Sequence, residues 1–367
     1  MGCCESANTN KPPVETSNSF SYFSYNNNSY INSIFQCLSY TKPLTNYFLN
    51  KYGEYNHYNK KISNEYYNLL MNLWKEKNIS NPYSPYNLKS FINNRNSSLY
   101  NNQINDGKVL LNYLFDNIHK ELNKVDDNKG NNIQKSNTII QLYKQITLQN
   151  FFSYFKSNYN SIISNLFYGT NEIKFKCVKC DTTNYKYEIF HILEFSLKEI
   201  GSFFGINLSI TMHNRLRFKN TKKIIDLYKC FEYYNKEKAL TTKTYKCINC
   251  DNDQFFNFST SLFSMPNYLI LILNNESGSI YDINYPEKLD LGAHTIHNEY
   301  ASKFNLYAVI EKIETTSSNE NEYIAYCRDL VYDYIWYKYD NNEVTQCQNK
   351  EYLNVIPFFL FYEVDIQ

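Results

Sequence analysis

The chain is poor in glycine, proline, methionine and tryptophan, with 9, 8, 4 and 2 of them in 367 residues. Set against 37 tyrosines and 25 phenylalanines, so little glycine excludes a disordered polypeptide and describes a globular one. Net charge is nearly absent as well. The 37 Lys and Arg against 36 Asp and Glu leave +1, which removes bulk electrostatics as a means of binding nucleic acid. Recognition must therefore be local. No run of 18 or so apolar residues occurs, so no transmembrane helix is expected. The N-terminus has no cationic and apolar signal stretch, so a reducing compartment is expected. There its ten cysteines are expected to be free, acylated or metal-bound rather than a disulfide framework. With 43% apolar residues, the chain can bury a core in one large domain or two smaller ones.

What is present begins at the first residue. MGCCES fits the myristoylation pattern M-G-x-x-x-S/T, with Gly2 as acceptor and Ser6 at the small polar position. A single myristoyl chain binds membranes with an association constant of only roughly 10⁴ M⁻¹, so stable anchoring needs a second chain. Cys3 and Cys4 stand where palmitate would supply it. The expectation is a protein peripheral to the cytosolic face of a membrane, with residues 1–18 as a flexible, acylated tail.

The stretch NNSYINSIFQCLSYTKPLTNYF at 27–48 carries a helix signal. Ile31, Ile34, Phe35 and Leu38 follow Ser29 at i, i+3, i+4 and i+7 and make one apolar face, with Asn27, Asn28 and Ser29 as capping residues. Ser29 thus stands at the positive end of the helix dipole. A cysteine there would be held as the reactive thiolate, whereas a serine by itself is a helix cap. Cys37 lies eight residues along the same helix, roughly 12 Å away at 1.5 Å per residue, too far to replace it.

Two C-x-x-C pairs, Cys177/Cys180 and Cys247/Cys250, are flanked by strand-forming residues. Paired thiolates on two knuckles close a tetrahedral zinc site at a metal–sulfur distance of about 2.3 Å. The long gap between the pairs argues for a clamp on two distant strands and against a self-contained finger. Downstream the pattern is mostly strand: YLILIL at 268–273, EYIAYCRD at 322–329, YIWYKYD at 334–340 and IPFFLFYEV at 356–364. Upstream it is helical, with Tyr66, Leu69, Leu70 and Leu73 on one apolar face and Leu110, Leu114, Ile118 and Leu122 on another. The polar stretch 123–137 reads as a surface loop, and the paired C-x-x-C is the one internal repeat.

In this order the segments resemble the ubiquitin-specific protease family from about Tyr22 to Glu363. Asn26 to Leu38, NNNSYINSIFQCL, is similar to the family's cysteine box G-N-T-C-Y-M-N-S followed by two apolar residues and Q-C-L. Asn105 to Leu110 resemble its Q-D-A-H/Q-E-F/L helix start, the C-x-x-C pairs its zinc ribbon, and SMPNYLILIL a palm strand. LYAVI, EYIAYC and WYKYDNNEV resemble the histidine box and the W-Y-x-F-D-D-x-x-V segment downstream of it. The resemblance implies an α+β, papain-like cysteine protease fold with a helical thumb, a β palm and zinc-ribbon β fingers. It assigns 19–367 to that domain, with 19–160 mainly thumb, 161–262 mainly fingers and 263–367 mainly palm. It implies ubiquitin or a ubiquitinated protein as partner, and no nucleic acid.

The catalytic positions depart from the family pattern. The nucleophile position is Ser29, the general-base position Glu322, the oxyanion position Ser24, and only the orienting acid survives, as Asp340. A serine hydroxyl needs an imidazole titrating near neutrality, and a carboxylate with a reference pKa of about 4.3 is a poor substitute. Loss of a triad member costs on the order of 10⁴–10⁶ in turnover, and loss of an oxyanion donor about 10²–10³. His294 and His297 precede LYAVI in a loop-like segment and are the candidates for a replacement base. Asp106 retains one acidic contact to the basic ubiquitin tail, while the family's second is replaced by Val109. The expected function is a catalytically inactive, ubiquitin-binding or scaffolding homologue. The competing expectation is a working deubiquitinase that cleaves after the ubiquitin C-terminal glycine.

Overall fold

The computed structural model describes residues 29–52, 59–75, 87, 88, 90, 107–125, 144–206, 224–236, 238–241, 247, 249, 250, 255–275, 281–296, 302–314, 321–332, 334–340 and 343–366. The described chain opens with helices α1 (Ser29–Ser39) and α2 (Lys42–Asn46), the latter running into a π turn over Tyr47–Lys51. Next come α3 (Lys61–Trp74), α4 (Gly107–Leu122), α5 (Lys144–Asn158) and α6 (Ile162–Phe167). The apolar face foreseen for α1 is buried at Ile31, Ile34, Phe35 and Leu38, and those of α3 and α4 at the periodic positions named above.

Helix ends are satisfied by side chains from elsewhere as well as by local caps. Lys60 gives α3 no side-chain cap. Instead the Glu121 carboxylate of α4 accepts the N–H groups of Ile62 at 3.1 Å and Ser63 at 2.7 Å, placing a negative group on the positive end of α3. Thr45 Oγ1 donates to the Ser39 carbonyl at 2.7 Å and so terminates α1 within the core. In front of α6, Ser161 and Ser164 form a reciprocal capping box.

Beyond the helices the chain builds two main sheets. The smaller has four strands in the order β2-β1-β6-β5, comprising β1 (Gly169–Cys177), β2 (Thr183–Phe190), β5 (Lys238–Thr241) and β6 (Phe255–Ser264). The larger contains β3 (Leu193–Ser196), β7 (Tyr268–Asn274), β9 (Lys288–Asp290), β10 (Lys303–Glu314), β11 (Asn321–Arg328), β12 (Trp336–Asp340), β13 (Glu343–Gln346) and β14 (Pro357–Val364). Its order is β13-β12-β11-β10-β14-β7-β3, with β9 on β10. A short parallel pair, β4 (Ile224–Asp226) with β8 (Asp282–Asn284), and helices α7 (Leu197–Phe203) and α8 (Leu227–Tyr234) complete the described elements.

The larger sheet is covered on both faces, which is why YLILIL reads as an unbroken apolar run. Ile270, Ile272, Tyr323, Ala325, Phe359 and Phe361 pack with α1, α3, α4 and α6. Their alternating neighbours Leu269, Leu271, Leu273, Ile324, Leu360 and Tyr362 pack with α7 and α8. The chain between the two cysteine pairs therefore leaves the small sheet after β2, adds β3 to the edge of the large sheet and α7 and α8 to its far face, and returns as β5. Helix α5 has little periodicity of its own. It rests on the small sheet through Phe151 against Tyr187, Phe152 against Phe263, and a Lys144–Glu172 ion pair of 2.9 Å.

Candidate active site and metal centre

Ser29 is the first residue of α1 and is buried. Contacts along its length pin α1 to β11. Ser33 Oγ donates to the Tyr323 carbonyl at 3.1 Å, the Tyr30 and Tyr323 rings meet edge to face at 6.0 Å, and the Cys37 and Cys327 sulfurs lie 3.9 Å apart. The first turn of α4 is wedged against the same place: a Cβ built on Gly107 would stand 2.4 Å from Phe359 Cζ and 3.2 Å from Ile34 Cδ1. Only glycine allows this approach.

Between α1 and strands β11 and β12 lies a recess of about 20 Å³, room for roughly one water. Ser29, Asn32 and Gln36 line it from the helix, and Tyr323, Ala325 and Tyr339 from the strands. Tyr339 is held by a 2.5 Å hydrogen bond between its hydroxyl and that of Tyr40. The strand residues that line the recess are those that alternate with Glu322 and Asp340. Thus the three elements carrying Ser29, Glu322 and Asp340 converge, but of the three side chains only Ser29 lines the recess. Glu322 is exposed and stands opposite Ile313 in the β10/β11 ladder. Asp340 pairs with Lys338 of its own strand at 3.2 Å.

The three described histidines are engaged elsewhere. His119 Nδ1 is 2.7 Å from Ser161 Oγ with its ring stacked on Tyr159, and His191 Nε2 is 2.8 Å from Asn112 Oδ1 with its ring on Tyr168. His294, one of the two candidates for a replacement base, stacks on Tyr228. Burial pulls all three below the usual imidazole range, and none of them lines the recess. His297, Ser24, Asp106, Gly2, Cys3 and Cys4 lie outside the described residues.

At the far end of the small sheet, Cys177 closes β1 and Cys180 follows in the turn to β2, facing Cys247 and Cys250 ahead of β6. Their four sulfurs lie within 4.8 Å of one another, with Cys177–Cys250 at 3.7 Å and Cys180–Cys247 at 3.5 Å. A tetrahedral ion with metal–sulfur bonds of about 2.3 Å requires sulfur–sulfur separations of about 3.8 Å, so the four residues fit a tetrathiolate metal site. Hydrogen bonding to Thr182 pushes the Cys180 thiol down to about 6, the direction that favours ligation, whereas burial pushes Cys247 up. All eight described cysteines are free of disulfides.

Some features of the site were not legible beforehand. Tyr323, Tyr339 and Gln36 line the recess. The Lys108–Glu194 ion pair of 2.7 Å joins α4 to β3. Nothing in an aromatic-rich strand pattern marks which tyrosine faces a cleft, and the ion pair joins residues 86 apart.

A helical layer on one face of a mixed sheet, a helix that opens at the cleft between them, and a four-thiol knuckle on a separate sheet define the ubiquitin-specific protease type of papain-like α+β fold. The family model for ubiquitin carboxyl-terminal hydrolase matches residues 24–362, and the chain belongs to that family. It is 22% identical over 359 residues to ubiquitin carboxyl-terminal hydrolase Usp2 of Drosophila melanogaster, a match that covers 92% of this chain and 34% of the relative. It is 24% identical over 352 residues to ubiquitin carboxyl-terminal hydrolase 2 of Homo sapiens, covering 92% of this chain and 54% of the relative. The chain therefore spans about a third to a half of the length of such curated relatives. Among solved structures it is similar to the SAGA DUB module bound to monoubiquitin, with a TM-score of 0.66 at 17% identity over 98% of this chain and 72% of that one. It is likewise similar to the Ubp8/Sgf11/Sus1/Sgf73 module bound to ubiquitin aldehyde, with a TM-score of 0.63 at 17% identity over 98% and 72% of the two chains. These likenesses are of fold.

Proposed function

We propose that this family member binds ubiquitin, or a ubiquitinated protein, without hydrolysing it, and does so at the cytosolic face of a membrane. The observation that carries the reading is the recess at the start of α1. Ser29 faces Tyr323 and Tyr339 there, while an exposed glutamate, Glu322, holds the position of the family's imidazole. Among the described residues, such a site offers Ser29 shape and hydrogen-bonding groups but no group suited to take its proton near neutral pH. The scaffold around it is intact: α1 stays bonded to β11, and the first turn of α4 stays seated on Phe359. Loss of chemistry with retention of cleft architecture favours a binding role.

Ubiquitin as partner is supported by membership of the family and by the ubiquitin-bound state of its structural neighbours. In this reading Asp106 meets the basic tail of ubiquitin and Val109 leaves a second contact unmade. The helices up to about residue 160 serve as thumb, the small sheet as fingers and the large sheet as palm. Cys177, Cys180, Cys247 and Cys250 hold zinc, which contributes a structural crosslink between β1 and the segment before β6. Gly2 with Cys3 and Cys4 carries the acyl chains, the double signal that lasting membrane attachment needs. Calorimetric titration of the purified chain with ubiquitin tests the binding half. Saturable one-to-one binding is expected, and no heat of binding at high micromolar ubiquitin would refute it.

A further inference from the structure

We infer that the face built by α7 and α8, together with the segment 207–223 that links α7 to β4, is a contact surface for an anionic lipid leaflet and turns the α1 recess away from the membrane. This rests on the membrane reading above and adds to it a second contact and an orientation. Helix α7 ends in a Schellman turn. Gly205 sits at φ +66°, its N–H donates to the Ser202 carbonyl at 3.2 Å, and the Ile206 N–H donates to the Gly201 carbonyl at 2.7 Å. The turn sends Ile206 into the core beneath α7 and α8 and leaves Phe203 at the rim, 44% exposed. Phe203 lies 4.8 Å from Phe204, edge to face, and 5.4 Å from Tyr233 of α8. Lysines cover the rings. Lys236 Nζ stands 3.5 Å from the centre of Phe203, and Lys229 Nζ 5.2 Å from that of Phe204. The described chain resumes at Ile224, 51% exposed, next to Ile225 in the same core. Both ends of 207–223 are thus rooted on this face.

The linking segment, NLSITMHNRLRFKNTKK, carries Arg215, Arg217, Lys219, Lys222 and Lys223 and no Asp or Glu, in a chain whose charges sum to +1. In the described parts of the face, Lys198, Lys229 and Lys236 balance Glu199, Asp226 and Glu232. The net positive charge therefore comes from 207–223 and the exposed ring from α7. Cations beside exposed aromatic and aliphatic side chains make the composition that holds a peripheral protein at an anionic leaflet, where the charges meet headgroups and the apolar groups enter the interface. An acidic polypeptide would answer the charge but give Phe203 and Ile224 nothing to bury against.

Position decides the consequence. Helices α7 and α8 cover one face of the large sheet, and α1, α3, α4 and α6 cover the other. A leaflet against α7 and α8 has the sheet between it and the recess at Ser29, which stays open to a partner in the cytosol. The 28 residues ahead of α1 would span about 90–100 Å fully extended, more than the roughly 50–60 Å breadth of a domain this long, so Gly2 can reach the same leaflet. One acyl chain with a polybasic face is itself a two-signal anchor.

Co-sedimentation of the full chain with vesicles tests it, using a Gly2→Ala background that carries no myristoyl group. Vesicles of phosphatidylcholine alone are compared with vesicles that also contain phosphatidylserine, at low and at physiological salt. Binding is expected to the anionic vesicles only and to weaken as salt rises. A cation near an anionic leaflet raises partition roughly fivefold, so Lys229→Gln with Lys236→Gln should lower it about 10–25-fold, and Arg215→Gln with Arg217→Gln by a similar factor. Phe203→Ser should lower it about fivefold. Lys61→Gln with Lys120→Gln, which removes the same charge from the thumb helices, should leave it unchanged, and melting temperatures equal to the background show that the folds are comparable. If the thumb pair lowers partition as much as the α8 pair, bulk charge alone is at work and the inference is wrong. If poly-glutamate displaces the chain from vesicles and Phe203→Ser has no effect, the face serves an acidic polypeptide and the lipid inference is wrong. If the Gly2→Ala chain ignores anionic vesicles even at low salt, the inference fails while the acyl anchor stands. If instead it binds them as predicted but wild type gains no acyl mass when co-expressed with an N-myristoyltransferase, the anchor falls and the lipid face stands.

Discussion

The Ser33 hydroxyl donates to the main-chain carbonyl of Tyr323 at 3.1 Å across 290 residues of chain. This bond fastens the helix that opens with Ser29 to the strand that carries Glu322, and it depends on no catalytic group. Its partners in the same contact, Tyr30 against Tyr323 and Cys37 against Cys327, are equally indifferent to chemistry. A cleft held in this way keeps its shape when the nucleophile and base change. That is the physical basis of the proposal that recognition and turnover are separable here.

Gly107 tests how tightly the cleft is assembled. A Cβ there would lie 2.4 Å from Phe359 Cζ, so Gly107→Ala should force the ring or the helix to move and cost about 1–3 kcal/mol, an overpacking penalty. Denaturant unfolding should show the loss, and Phe359→Leu in the same chain should recover part of it. A Gly107→Ala protein as stable as wild type would mean that α4 does not seat on β14 as described.

The four-thiol knuckle predicts one metal ion per chain. Elemental analysis should find about one equivalent of zinc, and Cys177→Ser should abolish it and lower the melting temperature by several degrees. A chelator should act on wild type in the same direction. Metal-free protein with an unchanged melting temperature would show that the cysteines merely pack together.

Acidification should weaken the fold through its buried histidines. Burial lowers His119 and His191, so the folded state takes up their protons less readily than the unfolded chain does. Their contribution to stability is complete above the ordinary imidazole value of about 6.5 and is lost as pH falls below it toward the depressed folded values. Melting temperature measured from pH 7.5 to 5 should decline across that window, and a His119→Gln, His191→Gln chain should decline less steeply. A wild-type melting temperature that rises on acidification would contradict the assignment.

Membrane attachment is expected to depend on Gly2. In cell fractionation, Gly2→Ala should move the protein from membranes to the soluble fraction, and replacing Cys3 and Cys4 together should do so in part. Unchanged membrane partition in Gly2→Ala would remove the acyl anchor from the account.

Much of the fold was legible in the sequence because it rests on periodic burial. The faces of α1, α3 and α4, the doubly covered β7 and the two cysteine knuckles all announce themselves by spacing. Helices α5, α7 and α8 did not. Only Thr147 of α5 is buried, and α7 and α8 run 7 and 8 residues, too short for a period to establish itself. At the candidate site, motif order singled out Ser29, Glu322 and Asp340, which stand on α1, β11 and β12. Which side chains line the recess was not legible, because that is decided by the phase of β11 and β12 against α1. The partnership of Lys108 with Glu194 depends likewise on the docking of α4 over β3, which no local pattern encodes.

A cleft that binds without cutting leaves a fluorogenic ubiquitin C-terminal substrate intact. Purified wild type and Ser29→Ala, each shown by calorimetry to bind ubiquitin, should release fluorophore at the same background rate. Turnover by wild type that disappears in Ser29→Ala would establish a working serine nucleophile and contradict the account.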